Sequence, residues 1–431
     1  MVSPSSKRFP LPASPFVPLR LTPVDETAIA NIANDLLVTT VVDYEMLHLR
    51  EGGVMNPARW KAVKHFDKLI GYQARHYGCA DPADDHRSPR LVWRGALEGS
   101  LSDVMYGMIN QSDEMAQTKA AYMRSNVVDS KVLATLVTAT PSDPFKGLQI
   151  KWMVSASGPG LKRLVRLRDF VYVEATGVTR RASGESVGYH LINSIAIPSI
   201  RPLSEYSLVR GNISLLHLFR EKTQDTVELY TKVSLDLMGT MPARLALYAA
   251  FKTMQTIERL PLCSQQKKLA WMLRASMRAR PRSAKLSYDA SSCRLCQKNL
   301  HGERSLRNRL RHCRICSASA CSKCCHSTAL RVVDPHTRAL VKKKVRVCTA
   351  CISKAGHASG TQVQLDELAR GTWTADFPDT RSTFSLSSSE SSQDSFQGAE
   401  EAWSDTYVET HSTFSISSSD TSRDSFRGTE I

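Results

Sequence analysis

The 431-residue chain has little of several things, and each shortage removes a class of function. Aromatic residues make up only 7% of it, and none stands between Cys293 and Cys351, so base stacking is not on offer in that basic stretch. No apolar run approaches the ~18 residues that cross a bilayer, the longest being of the size of residues 36–42, so an integral membrane protein is not expected. The sequence has no phosphate-binding glycine loop, no dinucleotide fingerprint and no histidine pair at helical i, i+4 spacing, and an enzyme is not expected. The first twenty residues hold Pro4, Pro10, Pro12, Pro15 and Pro18 but no apolar core ahead of a small-residue cleavage site. A secretory leader is therefore not expected, and a reducing cytoplasm is the expected compartment.

What is present is a soluble globular composition, 42% hydrophobic and 23% charged, long enough for two or three domains. The net charge of +16 is unevenly spread. Residues 357–431 carry 4 basic and 13 acidic side chains, which leaves +25 on the remainder. A basic body implies an anionic partner, either nucleic acid or a membrane face.

Residues 1–25 read as a Pro-rich disordered start. At its end Thr22 can cap a helix, Pro23 suits the first helical position and Asp25 completes a capping box, so a helix is expected to about Leu49. A second helix is read over residues 57–77, around Trp60, before an Asp- and Pro-rich breaker at 80–89. From Leu91 the texture becomes β-branched and aromatic. Segments 91–97, 132–139, 148–156, 170–176, 187–196, 209–216 and 227–237 are expected to form one antiparallel sheet, with a helix over 100–111 that begins Ser100-x-x-Asp103. After Gly239 a broad apolar face built by Leu245, Leu247, Phe251, Met254, Ile257 and Leu260 predicts a long amphipathic helix that must pack on something.

A long terminal helix laid across a curved antiparallel sheet is a helix grip. Arg168-Asp169-Phe170-Val171-Tyr172, the two strands that follow and the closing helix resemble a START lipid-transfer domain over about residues 26–265. The resemblance implies an α+β fold with a concave interior that holds one hydrophobic lipid, in a space of ~300 to 1,000 Å³. A basic helical linker, 266–285, is expected to follow.

Nine of the eleven cysteines lie between Cys293 and Cys351. Cys293 and Cys296, Cys313 and Cys316, Cys321 and Cys324, and Cys348 and Cys351 form four Cys-x-x-Cys pairs, and each such turn offers two thiolates to one side of an ion. Eight ligands close two Zn²⁺ sites completely, so the expected zinc is structural rather than catalytic. The short gap between Cys316 and Cys321, the run Arg309-Leu310-Arg311-His312-Cys313-Arg314, and Arg346-Val347-Cys348 resemble the FYVE finger over residues 286–354. That family binds phosphatidylinositol 3-phosphate on endosomal membranes. The resemblance implies a cross-brace, with Cys293, Cys296, Cys321 and Cys324 on one ion, Cys313, Cys316, Cys348 and Cys351 on the other, and Cys325 spare. It also implies that Arg309, Arg311, His312, Arg314 and Arg346 contact the phosphoinositide, through guanidinium forks and an imidazole donor. This sequence departs from the family at three places: no Trp-x-x-Asp precedes Cys293, Arg311 stands where the first motif histidine would be, and Ser317 replaces a glycine. The loop before Arg309 offers only Leu306 for insertion between Arg304 and Arg307. Residues 293–354 hold 15 Lys+Arg and 2 Asp+Glu, so the finger stays cationic after its thiolates and metals are counted.

Residues 355–431 read as a disordered Ser-rich acidic tail in which 382–400 recurs as 412–430, with Trp373 and Trp403 in matching places. Ser387 and Ser417, each three residues before an acid, resemble acidophilic kinase sites, and a phosphorylated tail could compete with membrane for the finger. Gly184-Glu185-Ser186-Val187-Gly188 matches the hydrolase elbow, but a strand rather than a helix is expected after it, so it reads as a hairpin turn. The expected whole is a cytoplasmic lipid-binding or lipid-transfer protein, peripheral on endosomal membranes, with anionic lipids as partners, a hydrophobic lipid cargo and no nucleic acid. The alternatives are a non-enzymatic adaptor with a cargo-free START-like domain and a protein-binding finger, or a RING-like ubiquitin ligase.

Overall fold

In the computed structural model the described residues are 9–66, 68–75, 90–156, 165–181, 183–238, 243–279, 292–299, 311–333 and 340–371. The first helix starts where its cap dictates. α1 spans Pro23–Glu51. The Thr22 N–H donates to Asp25 Oδ2 at 2.9 Å and the Asp25 N–H donates to Thr22 Oγ1 at 3.2 Å, so two N–H groups that no helix turn could satisfy are paired reciprocally. Gly52, at φ 57°, ends it in the left-handed region that glycine tolerates.

The helix expected over 57–77 is instead a β-hairpin, β1 (Trp60–His65) and β2 (Leu69–Ala74). Its physical reason is the next strand. A Cβ at Gly71 would lie 2.6 Å from the Trp93 ring and one at Gly95 would lie 2.0 Å from the Lys68 carbonyl, so the two glycines permit the close pairing. Then follow β3 (Arg90–Glu98), α2 (Leu101–Met108), α3 (Asp113–Met123), β4 (Val127–Val137), β5 (Gly147–Ser155), β6 (Arg168–Arg180), β7 (Ser186–Ser194), β8 (Val209–Arg210), β9 (Asn212–Thr223) and β10 (Thr226–Asp236). The strands form one sheet in the order β1-β2-β3-β10-β9-β7-β6-β5-β4, with the short β8 running parallel to β6 and every other pair antiparallel. Ser186 opens β7 directly after the turn at Gly184, so the Gly-x-Ser-x-Gly match is a hairpin as read.

Alternation along the strands gives the sheet two apolar faces. On β6, Phe170 and Tyr172 point inward with Trp93, Phe219 and Leu229, and the helices cover them. Val171 and Val173 point outward with Ile150, Trp152 and Leu216, under α1 and the N-terminal segment. That segment is held as a strap: the Leu11 N–H donates to Asp129 Oδ2 at 2.6 Å, and the Phe16 ring meets Trp152 edge-on at 5.6 Å. The sheet is thus sandwiched between helical layers.

The closing helix comes in two pieces, α4 (Ala243–Gln255) and α5 (Leu260–Ala279), joined by a 3-10 turn at Thr256–Arg259. Pro261 supplies no N–H, which favours the break there. The α+β class and the helix-backed antiparallel sheet expected from the sequence are both present. Residues 266–279 of the stretch read as a helical linker are the continuation of α5, and its part up to Leu273 is packed while 277–279 are exposed. Lys267 and Lys268 are 4% and 1% exposed. Lys267 donates to the Tyr106 and Ile109 carbonyls at the end of α2, and Lys268 pairs with Asp103 at 2.6 Å. Burial drives the Lys267 ammonium down to about 8.

Beyond α5 lie β11 (Arg311–His312), β12 (Ser319–Ala320), β13 (Cys325–Val333), β14 (Leu340–Cys348), α6 (Thr349–His357) and α7 (Gly360–Ala369). The two helices extend into residues that composition assigned to the tail. α7 packs on α2, where Val363, Gln364 and Glu367 are buried. Residues 372–431, with the 30-residue repeat, Trp373, Trp403, Ser387 and Ser417, lie outside the described residues. Among the described residues no helix is long and apolar enough to cross a membrane.

Candidate metal centres and ligand cavity

The four Cys-x-x-Cys turns come together in two groups. Cys293, Cys296, Cys321 and Cys324 form one, Cys313, Cys316, Cys348 and Cys351 the other, with the sulfurs of each group within 4.8 Å of one another. A tetrahedral ion with metal–sulfur bonds of ~2.3 Å needs sulfurs ~3.8 Å apart. Cys296 and Cys321 stand 3.8 Å apart, Cys313 and Cys351 3.8 Å, and Cys316 and Cys348 3.6 Å. The donor sets therefore fit a four-coordinate, thiolate-loving cation such as Zn²⁺, with no position left for a substrate. The first and third pairs alternate with the second and fourth because β11 and β12 turn back between them, so the two groups brace each other.

The electrostatics of the thiols agree with that fit. Hydrogen bonding to Cys321, burial and the neighbouring Cys296 and Cys293 sulfurs push the Cys324 thiol up to about 12. Burial, followed by the Cys313 and Cys316 sulfurs beside it, drives Cys351 up as well. Four sulfurs this close cannot all ionise unless a cation sits among them. Cys325 belongs to neither group and is fully buried.

Of the residues expected to hold an anionic headgroup, Arg309 lies outside the described residues. Arg311 and Arg346 converge on Cys325: the Arg311 guanidinium donates to the Cys325 carbonyl at 3.2 Å, and both cations act on its thiol. The Arg314 N–H donates to the Arg346 carbonyl at 2.8 Å, which ties the motif to β14. His312 turns towards β12, with Nδ1 at 3.1 Å from Ser319 Oγ. Sequence reasoning did not single out Lys342, Lys343 and Lys344, which are exposed on β14 next to Arg346 and enlarge the cationic surface.

The module is seated on the helical layer. Leu269, Met272 and Leu273 of α5 share one apolar cluster with Cys313, Ile315, Leu330, Val345, Val347 and Cys348. The Arg331 N–H on β13 donates to the Tyr122 hydroxyl of α3 at 2.6 Å.

A cavity of about 110 Å³ lies between α4 and the ends of β5, β6, β9 and β10. Met153, Phe170, Ile213, Leu235 and Leu245 are among its apolar lining, and Arg168 and Lys252 are its charged residues. Beside it the inner face of the sheet buries an ionic network. Lys151 Nζ is 2.5 Å from Glu174 Oε2, Glu174 Oε1 is 2.6 Å from His190 Nε2, and Lys119 lies 3.7 Å from the same oxygen. Burial alone would raise the Glu174 carboxyl, but Lys151, Lys119 and His190 hold it well below the usual carboxylate range.

No family model and no curated protein match the chain. Among solved structures, human StAR-related lipid transfer protein 5 is similar at a TM-score of 0.39 and 16% identity, over 56% of this chain and 99% of that one. Human STARD10 is similar at 0.38 and 12%, over 53% and 82%. A fragment of a STAR-related lipid transfer protein from Xanthomonas axonopodis is similar at 0.34 and 16%, over 48% and 99%. At such scores the likeness identifies neither a family nor a ligand for this chain.

Proposed function

We propose that this protein binds or transfers a lipid and works at the surface of an anionic membrane. The observation that carries the reading is the position of α5. One end of this helix packs on α2 beneath the sheet that holds the cavity, and the other end packs on the cysteine module whose β14 exposes Lys342, Lys343 and Lys344. A cationic surface and an apolar cavity thus belong to one packed body, as a protein that meets lipids at a membrane requires. Two Zn²⁺ ions would hold the module. The resemblance of its basic motif to the FYVE finger points to phosphatidylinositol 3-phosphate, and hence to endosomes, as the address. Arg311, His312, Arg314 and Arg346, with Arg309, are the proposed contacts. Each well-placed basic residue near an anionic leaflet contributes ~1 kcal/mol even without headgroup recognition.

The volume of the cavity favours a second reading. About 110 Å³ is below the ~300 Å³ at which drug-sized sites begin, and an adaptor without cargo would need no more. Vesicle flotation and native mass spectrometry of the full chain separate the two. Binding that follows the 3-phosphate, together with copurifying lipid, is expected. Binding that follows total negative charge removes the specific address, and a chain that ignores every vesicle and carries no lipid is the adaptor.

A further inference from the structure

We propose that the cavity under α4 receives a single-chain anionic amphiphile, with its head on the buried guanidinium of Arg168 and its chain against Phe170, Ile213 and Leu235. This deepens the lipid-binding reading and rests on it.

The charges of the cavity are all of one sign. Arg168 and Lys252 line it, and no acidic side chain does. Arg168 is only 8% exposed. Its Nε donates to the Leu237 carbonyl at 3.0 Å, Nη1 to Arg166 at 2.7 Å and Nη2 to Met238 at 3.4 Å. Three carbonyl dipoles orient the group, but they bring no negative charge, and a guanidinium has five N–H bonds to satisfy. Two other buried cations have a carboxylate partner, Lys151 with Glu174 and Lys268 with Asp103, whereas Lys267 is held by the Tyr106 and Ile109 carbonyls; Arg168 differs from all three in lining a cavity. Among the described residues no carboxylate lies within ion-pair distance of Arg168, and the neighbouring segments 157–164 and 239–242 contain no Asp or Glu. Burial and the nearby Arg166 cation both work against its charge. A buried cation that no carboxylate answers is costly, and a carboxylate or phosphate from a ligand would supply the missing charge through the guanidinium fork. Lys252, exposed on α4 with its ammonium 5.8 Å from the Tyr248 ring centroid, lines the same cavity and adds a second positive charge to it. The space, about 110 Å³, takes the head and first few methylenes of one chain and is too small for a fused ring system.

Titration calorimetry of the full chain with decanoate, decyl phosphate and decanol tests this. The two anions are expected to bind at least tenfold more tightly than the alcohol, and the tighter of them names the head group. Arg168→Gln is expected to abolish the difference. Because that residue also ties down the end of β10, Lys252→Gln, at an exposed position, is the second variant and is expected to weaken both anions several-fold. Equal binding of decanol and the anions overturns the proposal while the lipid-binding reading survives. If none of the three binds and no lipid copurifies, both fall. A purely structural Arg168 would leave the wild-type protein unable to tell acid from alcohol.

Discussion

The Tyr106 hydroxyl, in the helix beneath the sheet, donates at 3.1 Å to the Glu367 carboxylate in the last described helix, 261 residues further on. Glu367 also receives the Arg274 guanidinium of α5. One buried carboxylate therefore joins three helices from three parts of the sequence. Glu367→Ala is expected to destabilise the fold by about 1 to 3 kcal/mol, because a buried hydroxyl loses its acceptor. Gly360→Ala should lift α7 from α2, since a Cβ there would lie 2.1 Å from the Ser102 carbonyl oxygen. Urea denaturation measures both, and unchanged midpoints would show that α7 is not seated on α2.

Metal removal should be felt in α5. A strong chelator is expected to unfold β11 to β14 and to leave Leu269, Met272 and Leu273 without their partners, seen as new dye binding and proteolysis within residues 260–279. Elemental analysis is expected to find two ions per chain, one after Cys313→Ser and still two after Cys325→Ser. Loss of an ion in the Cys325 variant would contradict the ligand sets.

Two of the cysteine turns are strained. Gln297 and Ser317, each just after a Cys-x-x-Cys pair, adopt φ of 56° and 63°, which favours glycine. Ser317→Gly is expected to stabilise the module by about 0.5 to 1 kcal/mol after the greater freedom of unfolded glycine is discounted. Competition with a chromophoric chelator should show tighter metal retention, and weaker retention would mean the backbone there is not left-handed.

His190 and His217 stack at 5.6 Å in the interior of the sheet. Burial lowers both imidazoles, and the Lys119 cation adds to the effect. Below the unfolded-state value of ~6.5 the unfolded chain then binds protons that the native chain refuses, so stability falls as pH drops from about 6.5 towards the lower folded-state values. Glu174 runs the other way: its contribution is present above ~4.3 and is lost only as pH falls through its depressed native value. Thermal melts at pH 7.5 and 5.5 should differ, and His217→Gln should reduce the difference. Equal melting temperatures would show that the histidines are not buried neutral.

Much of this was legible in local sequence because the relevant physics is local. The Thr22–Asp25 capping box lies within one turn, and seven strand segments announced themselves by β-branched residues alternating between two faces. The β1–β2 hairpin was misread because what favours it, the room that Gly71 leaves for Trp93, comes from the next strand. Residues 355–371 were assigned to the tail because their composition resembles it, whereas Val363 and Glu367 are ordered by α2 and α5. The convergence of Arg311 and Arg346 was legible only through a family likeness, since 34 residues separate them.

By itself the sequence determined the element types, the two-faced strands and the number of thiolates, since each follows from residue chemistry and short-range period. Tertiary structure alone decided which sulfurs meet, that one helix serves both cavity and metal module, and that Arg168 is enclosed without a carboxylate. Those are facts of dielectric and distance, and neither exists for a residue until the rest of the chain has closed around it.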